Sequence, residues 1–207
     1  TQTLFAHGLD VNPDSTLCLT AVAMRHVEEQ DFKSAETLLL HVAEVNPREA
    51  NVWKNLGALY VRQERPDDAA RALERAVELH GSKVGPKMDL ALLCLQQQNY
   101  ERAMQLLDEV LEIEPDFTPA HTYLGAALVN RGRHAEAIEH WQAVVEADPQ
   151  NIEIRQMLGE SLAQTGHYPA AIEQFRRVLE VRPVDPRATE FIRLLESQLP
   201  GDRSSSP

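Results

Sequence analysis

Cysteine is almost missing from this chain: Cys18 and Cys94 are the two among 207 residues, too few for a disulfide framework. Each reads as a small, buried, apolar side chain, which permits a cytoplasmic location, or a periplasmic one if a leader was removed. No run of 18 or more apolar residues occurs, so no helix is long and apolar enough to enter a membrane. Basic charge is short as well, with 20 Lys and Arg against 32 Asp and Glu and a net charge of -12, which disfavours nucleic acid and anionic membrane surfaces as partners. The vocabulary of catalysis is equally thin. There is no HExxH, no GxxxxGK[ST], no GxGxxG and no two-cysteine, two-histidine zinc spacing. The eight histidines are scattered, and His134 and His140, six residues apart, fall on different faces of a helix. No catalytic residue, cofactor or metal is expected.

What the chain does have is a period. Ala35, Ala69, Ala103, Ala137 and Ala171 stand 34 residues apart. Thirteen residues before each comes an apolar side chain (Val22, Leu56, Leu90, Leu124, Leu158), followed at once by a small one (Ala23, Gly57, Ala91, Gly125, Gly159). Four residues after each alanine is a bulky apolar residue, Leu39, Leu73, Leu107, Trp141 or Phe175, and twelve after it stands Pro47, Gly81, Pro115, Pro149 or Pro183. Small residues belong where two helices of a hairpin approach closely, large ones fill the space between neighbours, and the prolines separate one hairpin from the next. Asp14, Asp116, Asn151 and Asp185 are placed to cap helix starts. The turn inside each unit reads Gln30-Asp31, Glu64-Arg65, Gln98-Asn99, Gly132-Arg133 and Gly166-His167, and its two glycines suit a left-handed backbone.

The second unit carries Trp53, Leu56, Gly57, Tyr60, Ala69, Leu73 and Ala76 at spacings of 3, 1, 3, 9, 4 and 3. This strongly resembles the tetratricopeptide repeat, a 34-residue helix-turn-helix unit. The units run 16–49, 50–83, 84–117, 118–151 and 152–185, with 186–199 as a capping helix and 200–207 as a disordered tail. Residues 1–13 align with the end of the next unit, Leu4 to Pro13 against Leu38 to Pro47, and read as the second-helix remnant of a preceding repeat or an N-terminal cap. The resemblance implies an all-α fold, a right-handed superhelical α-solenoid of five helix-turn-helix units plus the capping helix.

It also implies a function. In such proteins the first helix of each unit lines a concave groove that binds extended peptides or partner helices, through the second, fifth, sixth, ninth, twelfth and thirteenth positions. Here the expected groove comprises Met24, Lys54, Asn55, Met88, Asp89, Leu92, Thr122, Tyr123, Ala126, Gln156, Met157 and Glu160. Three of the chain's four methionines are among them, and flexible thioethers adapt to apolar side chains of varied shape. Tyr123, aromatic with a polar tip, is the expected anchor.

Two subclasses of the family do not fit. The carboxylate clamp of chaperone adaptors matches at Lys54, but Ala58, Asp89, Pro119 and Tyr123 replace its other members, and an acid at Asp89 repels a carboxylate ligand. The asparagine ladder of the O-linked N-acetylglucosamine transferase repeats is represented by Asn55 alone. The expected function is a non-catalytic protein-protein interaction module holding a protein or peptide partner. The alternatives are a regulatory or substrate-docking region of a larger enzyme, and a scaffold that self-associates through the N-terminal half-repeat.

Overall fold

A computed structural model describes residues 15–199 of the chain. Among the described residues the regular elements are eleven α-helices in strict alternation. Five first helices of 13 residues each, α1 (Thr16–Glu28), α3 (Ala50–Arg62), α5 (Val84–Gln96), α7 (Thr118–Asn130) and α9 (Ile152–Gln164), begin 34 residues apart. Five second helices of 14 residues follow them: α2 (Phe32–Val45), α4 (Pro66–Leu79), α6 (Tyr100–Ile113), α8 (His134–Ala147) and α10 (Tyr168–Val181). The last helix is α11 (Pro186–Gln198). Residues 1–13 and 200–207, expected as a half-repeat and a tail, lie outside the described residues, as does Asp14.

The chain forms two compact units, Thr1–Arg102 and Ala103–Pro207, with the division inside α6. In the first, α1 to α5 pack each on the next, and the first helices α3 and α5 also touch. In the second, α7 to α11 pack in the same serial way.

One repeated contact closes the second, fourth and fifth hairpins. The alanine column, Ala35, Ala69, Ala103, Ala137 and Ala171, has no exposed surface at all. The small residue of the first helix faces the bulky residue of the second. A Cβ added to Gly57 would lie 2.5 Å from Leu73 Cγ, one on Gly125 would lie 2.0 Å from Trp141 Nε1, and one on Gly159 would lie 3.0 Å from Phe175 Cε2. The glycines are thus matched to their partners, most tightly where the partner is tryptophan. The second unit's core gathers Trp141, Leu158, Ile172, Phe175 and Val178. The last helix covers it by stacking Phe191 on Phe175, ring centroids 4.8 Å apart, and by burying Ala188 and Leu195.

The turns inside the hairpins are five copies of one device. Residue fifteen of each unit has a left-handed backbone: Gln30 (φ 62°), Glu64 (57°), Gln98 (58°), Gly132 (72°) and Gly166 (81°). The following amide returns to a carbonyl five residues back, as in Asp31 N to His26 O at 2.8 Å and Asn99 N to Cys94 O at 2.8 Å, which is the Schellman closure of a helix C-terminus. Sequence reasoning assigned this conformation to the two glycines, whereas all five units adopt it, because the closure geometry demands it whatever the side chain.

Between hairpins, the residues preceding proline are extended, with ψ of 80°, 88° and 83° at Asn46, Asp148 and Arg182, as proline requires of its predecessor. The fourth residue of the next unit reaches back to the proline carbonyl. Trp53 Nε1 donates to Pro47 O at 3.1 Å, His121 Nε2 to Pro115 O at 2.8 Å and Arg155 Nη2 to Pro149 O at 2.7 Å. The expected caps are realised at Asn151, which accepts from Ile154 N at 3.1 Å, and at Asp185, which accepts from Ala188 N at 2.8 Å. Asp116 is a correction. The N-cap position of α7 is Phe117, one residue later, and no side chain caps it. At α1 the cap is Ser15.

Candidate functional site

The expected groove residues divide between the two units. In the first, Met24 on α1 is 37% exposed, while Lys54 and Asn55 on α3 and Asp89 and Leu92 on α5 are half-buried. Met88 corrects the expectation of an open lining position. It is 8% exposed, because α5 packs against both α4 and α3 and its fifth position is enclosed. The Asp89 carboxyl is pushed up by burial, with the positive charge of Lys54 opposing that rise.

In the second unit, Thr122 spends its hydroxyl on Thr118 O at 3.0 Å. Gln156 donates to Asp185 Oδ2 at 3.2 Å, tying α9 to the start of α11. Tyr123 and Met157 are exposed, at 38% and 41%. Glu160 pairs with Arg187 of α11. Burial pushes the Glu160 carboxyl up, and the Arg187 charge opposes it.

Some of these side chains line a cavity in each unit. In the second unit a cavity of about 320 Å³ is lined by Ala126, Val129 and Asn130 of α7, His134 and Trp141 of α8, Met157, Glu160, Ser161 and Gln164 of α9, and Phe191 of α11. In the first a cavity of about 270 Å³ is lined by Ala58, Val61, Arg62, Leu73, Asp89, Leu92, Leu93 and Gln96. The two are repeat-equivalent. Positions nine, twelve, thirteen and twenty-four of one unit (Ala58, Val61, Arg62, Leu73; Ala126, Val129, Asn130, Trp141) meet positions six, nine and thirteen of the next (Asp89, Leu92, Gln96; Met157, Glu160, Gln164).

Of the expected residues, Asp89 and Leu92 line the first cavity, and Ala126, Met157 and Glu160 line the second. Met24, Lys54, Asn55, Met88, Thr122, Tyr123 and Gln156 line neither. Sequence reasoning missed the floor, Leu73 and Trp141, because a bulky residue in that column reads as pure core. The signal was present in the glycine beneath it: Gly57 and Gly125 let the large side chain sink to the helix backbone, so that its other side can floor a cavity. Trp141 is 2% exposed, and its Nε1 is buried without a hydrogen-bond acceptor.

The chemistry differs between the two. The first cavity has Arg62 and Asp89 at its edge, the arginine donating to Val27 O at 3.4 Å. The second combines an apolar floor and wall with two amides in register, Asn130 and Gln164, and a carboxylate already neutralised by Arg187. In the second lining His134 Nδ1 stands 3.4 Å from Ser161 Oγ, but that hydroxyl is 1% exposed, so each lining suits a side chain of a partner better than a reacting group. Among the described residues no cluster of three His, Cys or acidic side chains could hold a metal ion.

A family profile described as the cytochrome c-type biogenesis protein H TPR domain matches residues 43–146, and a tetratricopeptide repeat profile matches residues 128–195. No curated protein matches the chain. Among solved structures, YrrB, described as a TPR protein with an unusual peptide-binding site, is 19% identical with a TM-score of 0.75, over 94% of this chain and 98% of that one. MamA is 21% identical with a TM-score of 0.74, over 81% and 92%. MamA from Desulfovibrio magneticus RS-1 is 20% identical with a TM-score of 0.65, over 72% and 84%. At these identities the likeness is one of fold.

Proposed function

This chain belongs to the tetratricopeptide repeat family, and we propose that it is a non-catalytic module that holds a segment of a protein partner along its first helices, the second-unit cavity receiving an apolar side chain. The observation that carries this reading is the cavity itself: about 320 Å³, floored by Trp141, walled by Val129, Met157 and Phe191, and edged by Asn130 and Gln164. Its volume accommodates one large aliphatic or aromatic residue. Asn130 donates one N–H to Ala126 O at 2.9 Å, and its remaining amide groups together with Gln164 can pair with the backbone on either side of that residue, which is the division of labour by which grooves read extended segments. Burying such an anchor contributes roughly 1.5–3 kcal/mol, a factor of about ten to a hundred in affinity.

The test uses the full chain and a displayed random-peptide library. Peptides enriched on the wild type should share one large apolar residue, and Ala126→Trp, which fills the cavity from the exposed side of α7, should weaken them at least about tenfold. Met157→Asp should do likewise. Selected peptides that bind both variants with unchanged affinity would overturn the assignment. A second reading is favoured by the profile spanning residues 43–146, namely that the partner belongs to cytochrome c-type biogenesis. Binding of an unfolded c-type cytochrome chain, abolished by Ala126→Trp, would support it, and no binding at any concentration would dismiss it.

A further inference from the structure

Away from the cavities, three elements of the second unit bring titratable groups together. His121 on α7 has its Nε2 2.8 Å from the carbonyl oxygen of Pro115, and its Nδ1 3.0 Å from Nδ1 of His140 on α8. A carbonyl only accepts, so His121 Nε2 carries a proton. Neutral His121 then presents a bare Nδ1, and the proton between the rings belongs to His140 Nδ1. The ring centroids are 5.2 Å apart, farther than the nitrogens by nearly both ring radii, so the two nitrogens face one another head-on. That arrangement holds a single proton between two lone pairs. A chelated ion would need lone pairs converging on a third point.

We infer that His121 and His140 form an acid-sensitive brace in the fourth hairpin, closed while the pair carries at most one positive charge and opened by the second. The first added proton goes to His140 Nε2 and leaves the bridge intact. A second places N–H groups on both facing nitrogens, where two donors oppose each other across 3.0 Å.

The surroundings set the sensitivity. Burial, and then the neighbouring His121, hold the His140 imidazole below the usual histidine range, against the pull of Asp108 from α6 and of Glu139 and Glu136 from α8 itself. Asp108 is in turn pushed up by burial, with His140 and Arg133 opposing and Glu112 and Glu136 adding to the rise. On the side of α9, Arg155 turns away to Gln174 of α10 at 2.9 Å. Because the folded chain prefers His140 neutral, that preference contributes stability fully above the ordinary histidine pKa and is lost as pH falls through that value toward the depressed folded one, while the bridge itself opens only with the second proton.

The next hairpin contains the same brace without the titration. Arg155 and Gln174 occupy the repeat positions of His121 and His140, and Arg155 likewise holds both the preceding proline carbonyl, at 2.7 Å, and its partner on the second helix, at 2.9 Å. His121→Arg combined with His140→Gln therefore transplants a pH-insensitive version.

The experiment compares melting temperatures of the full-length wild type and this double variant between about pH 7.5 and about pH 5. The wild type should lose several degrees more than the variant on acidification, the scale on which one group's linkage moves Tm in a chain of this length. Long-range ¹⁵N–¹H spectra of the wild-type histidine rings provide a reading that stands even if the variant does not fold. At the higher pH they should show His121 as the Nε2–H tautomer and His140 as the Nδ1–H tautomer, with one proton taken up by the folded pair. Opposite tautomers, two independent titrations at the ordinary histidine value, or parallel Tm profiles would overturn the inference.

Discussion

Replacing Gly125 by alanine sets two effects against each other, and the structure decides which wins. On helix propensity alone the change should stabilise α7 by about 1 kcal/mol. The new Cβ, however, would stand 2.0 Å from Trp141 Nε1, 2.5 Å from Cδ1 and 2.7 Å from Cε2. A rigid indole that is 2% exposed has nowhere to retreat except into the cavity it floors. Overpacking of this kind costs about 1–3 kcal/mol, and contacts this short belong at the upper end, so after the propensity gain of about 1 kcal/mol a net loss of about 1–2 kcal/mol is expected, which for a chain of this length lowers Tm by roughly 2–8 °C. Calorimetry or far-ultraviolet circular dichroism measures it. Gly159→Ala is the internal control, because its nearest contact, to Phe175 Cε2, is 3.0 Å, and it should be close to neutral. Repeats one and three already combine alanine with leucine at these positions, Ala23 with Leu39 and Ala91 with Leu107, all buried. In a Trp141→Leu background the penalty of Gly125→Ala should therefore disappear, a coupling that a double-mutant cycle isolates. A Tm that rises on Gly125→Ala in both backgrounds would refute the close-contact reasoning.

The left-handed turns make a reciprocal pair of predictions. Gln98→Gly should stabilise by about 0.5–1 kcal/mol, since a non-glycine residue at φ 58° carries a steric cost that glycine escapes. Gly132→Ala, with open space around its added Cβ, should cost a similar amount through backbone strain alone, and chemical denaturation resolves both; equal midpoints for variant and wild type would contradict the assignment. Met88→Glu should destabilise by about 2 kcal/mol or more, because it buries a charge at a site 8% exposed. Met157→Glu, at 41% exposure, should leave Tm nearly unchanged. If the two glutamates cost the same, the burial difference between these methionines is wrong.

Much of the fold was legible because the repeat constrains backbone approach. The buried alanine column and the glycines beneath Leu73, Trp141 and Phe175 report helix-helix distance directly, and a fixed period turns each into a register mark. The turns were legible only in part, since Gly132 and Gly166 advertise a left-handed backbone while Gln30, Glu64 and Gln98 adopt it without advertising it. Asp116 misled because a capping side chain is recognised by type, whereas the helix start is set by the turn after Pro115, one residue later. The site was harder to read. Asp89, Leu92, Ala126, Met157 and Glu160 follow from the groove positions that the family resemblance implies, but the floor residues look like core in any one-dimensional pattern. Thr122 and Gln156 sit at lining positions yet spend their polar groups on Thr118 and Asp185, an accounting that only coordinates provide. The His121–His140 contact joins residues 19 apart in sequence, in columns filled by arginine and glutamine one unit later, so no spacing rule pointed to it.

The second-unit cavity is proposed to receive a partner's side chain. The chain's four methionines make a direct probe, with Met24 and Met157 exposed and Met88 and Met104 buried. Methyl spectra with ¹³C-labelled methionine should be recorded while a library-selected peptide is titrated to saturation, together with the Trp141 indole N–H signal. The predicted result is a saturable shift of the Met157 methyl and the Trp141 indole, with Met88 unmoved. Saturation with both of those signals unchanged would contradict the claim.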